Sequence, residues 1–253
     1  MSDTNESIFL VSSAIHTNHG VYSAEQRLEQ TINTLKSIRQ RCDADIIILD
    51  GGLKAPTDKE RKVLEEYAKN IVSFSDAPSV KDILAIPSQD IVKNMAEIVM
   101  FGSTFQDLVV SGDYKKYKRI FKMSGRYLLN DNFNYQTHLD AKNKIIIRGP
   151  FTSQFTSSQT GGVIFQYMSR LWSFDSELLP NIAQSYVRMF KDMNMVLNGS
   201  GYIDIEHLLF VHLDPSKIQK IAKIGIEGNI APNGAEVSEL IIKFFRFFLN
   251  KVR

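Results

Sequence analysis

Residues 45–52 read DIIILDGG: four apolar residues in a row, Ile46 to Leu49, held between acids and followed by two glycines. A run this short and unbroken, rich in β-branched side chains, fits a strand buried on both faces. Asp50-Gly51-Gly52 then permits a tight turn or a close approach of backbone. Upstream, residues 23–40 set Ala24, Leu28, Ile32, Leu35 and Ile38 at helical spacing behind a capping box of Ser23 and Gln26. Before that helix, residues 8–11 (IFLV) form another apolar run, closed by Ser12 and Ser13. Strand, helix, strand is the unit of a parallel sheet. Downstream the alternation continues with a charged helix over 57–70 behind a capping box of Thr57 and Glu60, a strand over 71–74, a helix over 89–108 and a strand over 119–123. The fold class is α/β, with a mostly parallel central sheet.

Beyond residue 130 the rhythm changes. KIIIR at 144–148 is a strand, TGGVIFQYM at 160–168 a further candidate, residues 176–195 a helix, and DIEHLLFVH at 204–212 a helix with its acids first. This C-terminal half reads as α+β material laid against the sheet. No repeat, low-complexity tract or Pro/Gly/Ser-rich linker divides the chain, so 1–253 reads as one domain, and 43% hydrophobic residues suffice for a full core. Thirty basic against 28 acidic residues give +2, which excludes a dedicated nucleic-acid coat; anion binding must come from local clustering. Cys42 has no disulfide partner and no metal-ligand spacing around it, which points to a reducing, cytoplasmic compartment. The N-terminal residues carry no basic signal region, and no stretch reaches the roughly 20 apolar residues of a spanning helix, so no transmembrane segment is expected.

Ligands of open parallel sheets collect beyond the carboxyl ends of the strands. That rule selects Ser12, Ser13, Ala14 and His16 after the first strand, Asp50, Gly51 and Gly52 after the second, Ser75 and Asp76 after the third, and Ser124, Gly125 and Arg126 after the fourth. Together they make a polar crevice suited to a nucleotide: Asp50 can accept from ribose or base, or can simply cap its own turn, while amides and cations meet phosphates. Neither GxGxxG after the first strand nor GxxxxGK[ST] occurs, so an ordinary dehydrogenase or P-loop enzyme is not supported.

The segments IFLVSSAIHTNHGVYSAEQRLEQTINTLKSIR at 8–39, ADIIILDGG at 44–52, IFKMSGRYLLNDNF at 120–133, IEHLLF at 205–210 and IGIEGNIAPNG at 224–234 resemble small glycosyltransferases of the GT-A type, particularly those of bacteriophages and large viruses. The resemblance implies one Rossmann-like αβα sandwich in which residues 1–130 bind a nucleotide-sugar, such as a UDP-sugar, and residues 131–253 face the acceptor. Some phage enzymes of this kind glycosylate hydroxymethylated bases of their own DNA, so DNA with modified bases is one expected acceptor and a glycan or lipid-linked sugar the other. A non-catalytic module binding a nucleotide or nucleic acid in the same crevice is the competing class.

Most GT-A enzymes hold a divalent cation, Mn or Mg, with an Asp-x-Asp at the end of the fourth strand. Here that place reads Ser124-Gly125-Arg126. Lys122 and Arg126 are therefore expected to stabilise the departing diphosphate directly, and to share one side if the strand runs on that far; solvated surface cations are the plainer alternative. Asp131 keeps a metal site open. For the acceptor side, Glu206 is the expected general base, with Asp204 second, although an acid there can equally serve the helix N-terminus. Gly161, Gly162 and His207 are the expected acceptor contacts, the glycines otherwise marking a turn. YKKYK at 114–118 and the terminal KFFRFFLNKVR interleave cations with aromatics, as a phosphate-tracking surface or a membrane-surface helix would; for the terminal segment, Ile241, Phe244, Phe245 and Phe248 also form a simple core-facing stripe.

Overall fold

The computed structural model describes residues 5–230 and 235–237; the terminal basic and aromatic helix expected over 238–253 lies outside the described residues. The chain runs β1 (Ser7–Ser13), α1 (Ala24–Arg41), β2 (Asp45–Asp50), α2 (Asp58–Glu65), β3 (Asn70–Ser73), α3 (Pro78–Leu84), α4 (Gln89–Ser111), β4 (Arg119–Ser124), β5 (Tyr127–Leu129), α5 (Tyr135–Asp140) and β6 (Ile145–Ile147). A small hairpin follows, β7 (Phe151–Thr152) and β8 (Phe165–Gln166), then β9 (Leu171–Asp175), α6 (Leu179–Asn198), α7 (Ile205–His212), β10 (Ile218–Lys220), β11 (Ile226–Ile230) and β12 (Ala235–Val237). Both capping boxes form as their sequences require, Ser23 with Gln26 and Thr57 with Glu60.

Seven strands make the central sheet in the order β10-β6-β9-β4-β1-β2-β3. β1, β2, β3 and β4 are parallel, as is the β6–β10 pair, and β9 runs antiparallel between β4 and β6. The apolar runs are unbroken because both faces are covered. Ile8, Leu10 and Ile120 pack with residues of α4, α6 and α7 on one side, while Phe9, Val11, Phe121 and Met123 pack with Leu35 and Ile38 of α1 on the other. Phe9 and Phe121 stack across neighbouring strands at 4.2 Å.

Two features depart from the sequence pattern. The strand expected over 160–168 shrinks to β8, because Gly161 and Gly162 take φ of 63° and 97° and turn the chain before it can pair. LWSFD at 171–175, which carries no turn signal ahead of the helix that follows, is the strand that completes the centre of the sheet. Its Ser173 meets Arg119, whose buried guanidinium donates from Nε to Ser173 Oγ at 2.9 Å, from Nη2 to Ser173 O at 3.0 Å, and from Nη1 to the carbonyls of Ala141 and Lys144 at 2.8 and 2.9 Å. Burial holds that guanidinium down to about 9. Among the described residues no helix is long and apolar enough to cross a membrane.

Candidate active site

A cavity of about 510 Å³ opens at the carboxyl ends of β1, β2 and β4, a volume in the range of sites that enclose small organic ligands. Its floor is Ser12, Ser13, Ala14 and Gly51 with the turn Ser124-Gly125-Arg126. The turn sits close against β1: Gly125 N donates to Ser12 O at 2.8 Å, and a Cβ on Gly125 would stand 2.4 Å from that oxygen. Only glycine allows this approach, which sets Arg126 at the cavity edge.

Charge is divided within the cavity. Arg27, buried on the inner face of α1, donates to the carbonyls of Tyr22 and His19 at 3.2 and 2.6 Å, and its ionisation is held down by burial and then by the positive charge of Arg126. Among the described residues neither guanidinium has an acidic partner within ion-pair distance. Two cations without acidic partners on one open cavity have the chemistry to receive an anion. Tyr202 marks the opposite character: burial, then the charges of Asp204, Asp90 and Glu206, push its phenol up. Phe155 packs against Tyr202 with ring centroids 4.5 Å apart, and both rings line the cavity.

Glu206 stands on the first turn of α7, half-buried in the cavity wall. Its Oε1 accepts from Ser169 N at 3.3 Å and Ser169 Oγ at 3.1 Å. Burial foremost, then the negative charge of Asp204, raises its pKa above the carboxylate range, against the opposing pull of Arg170 and Lys93. An acid so placed, facing the cavity with its affinity for a proton raised, has the character of a general base.

Several expected residues lie elsewhere. Lys122 does not face the cavity: the strand ends at Ser124 and the chain turns, so the alternation that would align Lys122 with Arg126 breaks, and the Lys122 side chain points to α4, fully buried against Glu97. Asp50 is also fully buried and acts as a strut, its Oδ2 accepting from Ile15 N and its Oδ1 from Gly52 N, both at 3.1 Å. Gly161 and Gly162 serve the turn before β8 and are not among the cavity residues. His207 is buried behind the wall, with Nδ1 2.6 Å from Asp204 Oδ1 and Nε2 2.8 Å from Ser153 Oγ. Asp131 pairs with Arg41 at 2.8 Å on the exposed edge, outside the cavity.

The sequence reading passed over Arg27 and Thr31 on α1, Lys93, Asn94 and Glu97 on α4, Phe155, Arg170 and Tyr202. One signal was available: Gln89, Lys93 and Glu97 follow each other at intervals of four, a polar row along the first half of α4 that lines the cavity.

Among the described residues the place of an Asp-x-Asp offers no pair of carboxylates, Ser124-Gly125-Arg126 standing there instead. No group of three or more His, Cys, Asp and Glu is arranged to hold an ion among the described residues. Of the four acids that line the cavity, Glu97 is engaged by Lys122, Asp204 by His207 and Glu206 by Ser169; Asp90 is the fourth.

The fold is of the GT-A type, shared with two solved mannosyltransferases. Core-mannan synthase A (CmsA/Ktr4) from Aspergillus fumigatus, in its Mn/GDP form, is 11% identical with a TM-score of 0.52, over 96% of this chain and 83% of that one. The mannosyltransferase Ktr4p from S. cerevisiae is 9% identical with a TM-score of 0.54, over 90% of this chain and 70% of that one. No family model matches the sequence, and no curated protein matches it.

Proposed function

We propose that the chain is a glycosyltransferase that moves a sugar from a nucleotide-sugar donor to a hydroxyl of an uncharged glycan-type acceptor. The observation that carries this is one cavity with two characters: Arg27 and Arg126 at one part, and at the other the rings of Phe155 and Tyr202 with Asp90, Asp204 and Glu206, whose charge Lys93 and Arg170 offset in part. The donor diphosphate lies against the cationic part of the cavity, at the carboxyl ends of β1 and β4. A sugar ring stacks on an aromatic face and offers hydroxyls to carboxylates, whereas a polyanion would meet three acids around Tyr202. The glycan acceptor is therefore favoured over a DNA base. The fold shared with two mannosyltransferases points the same way.

In a single displacement the acceptor hydroxyl attacks the anomeric carbon. Its proton passes to Glu206, the new C–O bond forms as the bond to the diphosphate oxygen breaks, and the charge left on the diphosphate is met by Arg126 with Arg27 behind it.

The test is a panel of GDP, UDP, GDP-mannose and UDP-glucose, read by thermal shift and by sugar release or transfer, with wild type and Arg126→Ala, each with and without EDTA. One nucleotide family should raise the melting temperature, since a ligand that binds only the folded state stabilises it. Arg126→Ala should lower turnover by about 100-fold with a nearly unchanged melt, and EDTA should leave appreciable activity. No shift and no turnover with any donor would overturn the assignment; complete loss in EDTA restored by manganese would overturn the metal-independent part of it.

A further inference from the structure

Burying an ammonium group costs several kcal/mol, roughly, unless its donors are matched. Lys122 is wholly buried, on a sheet face otherwise lined by Leu10, Ile120 and Phe101, with its Nζ 5.3 Å from the Phe101 ring. A leucine or methionine would fill that space at lower cost. Its ammonium instead has three polar contacts, to residues of three different walls of the cavity. The ammonium pairs with the Glu97 carboxylate on α4, and donates to the carbonyl of Ser169 at 2.7 Å ahead of β9 and to Ser124 Oγ at 3.1 Å at the end of β4.

We propose that Lys122 and Glu97 are a buried positioning pair that locks the donor-side turn at Ser124-Gly125-Arg126 to the acceptor-side base Glu206. The link to the turn is direct through Ser124. The link to Glu206 passes through one residue: the Ser169 carbonyl is held by Lys122, while the Ser169 amide and hydroxyl hold Glu206 Oε1. Lys122 thus stands behind the place where an Asp-x-Asp would hold a metal, and it fixes the distance between the two reacting ends without touching either substrate. This inference rests on the assignment of Glu206 as the base.

The test replaces both charges together, because removing one strands the other. Lys122→Met with Glu97→Met should fold, and Ser169→Ala provides a milder break in the same chain. Two readouts separate positioning from mere stability. The first is the titration of the Glu206 carboxyl by ¹³C NMR, which needs no activity. The charged and titratable groups facing it are Asp204 beside it on α7, Arg170 ahead of β9, Lys93 of α4, Lys122 of β4, and the phenols of Tyr127 and Tyr202. In the double variant and in Ser169→Ala its midpoint should move upward, because donors to the carboxylate are lost or loosened. The second is turnover of GDP-mannose, or of whichever donor the panel selects. In the double variant kcat should fall by 10- to 100-fold, on the order expected for a small misplacement of reacting groups, with donor KM changed by less than about threefold. A folded double variant with unchanged Glu206 titration and unchanged kcat would overturn the proposal; if the double variant does not fold, an unchanged titration in Ser169→Ala would do so. Absence of turnover in the wild type would sink the transferase assignment instead, and the NMR titration would still decide the coupling.

Discussion

Glu206→Gln should lower sugar transfer by about 10³-fold, within the range for loss of a general base, and at the same time raise the melting temperature at pH 7. The substitution keeps an oxygen for Ser169 to donate to, so the wall geometry persists while the proton acceptor is lost. The opposite sign on stability follows from linkage. Burial and Asp204 raise the pKa of Glu206 in the folded chain above its unfolded value, so between those two values the folded state binds more protons. Stability contributed by this group therefore falls as pH rises through that window, and at neutral pH the ionised acid is a burden that glutamine removes. Parallel measurements of turnover and melting from pH 5 to 8 check both halves. In the wild type the rate should rise with pH through a midpoint above the ordinary carboxylate range, and in Glu206→Gln that limb should vanish. A variant that lost activity and stability together would point to a structural role for Glu206.

Gly125→Ala is expected to damage the fold and the donor site at once. The added methyl would stand 2.4 Å from Ser12 O and 3.3 Å from Val11 Cγ1, and the nearer atom is main chain in the middle of the sheet, which cannot swing aside as a side chain could. Forcing β1 and β4 apart at their ends costs about 3 kcal/mol, the upper part of the overpacking range, or roughly 6–12 °C in melting temperature for a chain of this size. It also carries Arg126 away from the cavity, so nucleotide binding should drop with it. Gly102→Ala on α4 is the matched control: its methyl would meet Tyr186 Cβ at 3.5 Å, an ordinary contact, and helix propensity favours alanine there, so the melt should hold or rise. Thermal melts with and without nucleotide on both variants decide the matter.

The parts of the fold that could be read from sequence were those whose signal is local. Apolar runs at β1, β2 and β4, the helical spacing in α1, and the two capping boxes each state their structure within a dozen residues. β9 was passed over because nothing within LWSFD fixes it as a strand; its place comes from pairing with β4 and β6, contacts some 50 and 30 residues away in the chain. The site followed the same division. Strand ends are local, so Ser12, Ser13, Ala14, Gly51, Ser124, Gly125 and Arg126 could be named and do line the cavity. Where a strand stops alternating is not local, and the separation of Lys122, inside β4, from Arg126, past its end, shows the cost of assuming it runs on. Arg27, Lys93 and Tyr202 come from three distant segments, and only folding reveals that their charges and rings share one space.

The antiparallel strand β9 follows β4 by some 50 residues in the chain, so the sheet edge it covers should stay open during part of synthesis. Until residue 175 has left the ribosome, β4 is an open edge whose inward-facing Arg119 and Lys122 lack the Ser173 and Ser169 groups that later receive them. Arg119 without its Ser173 acceptors, and Lys122 held by Glu97 but without the Ser169 carbonyl, would leave part of each cation's donors unmatched on that rim and should discourage edge-to-edge pairing between nascent chains, in the manner of charged gatekeepers. The same side chains that are sealed inside the finished molecule thus guard its unfinished border.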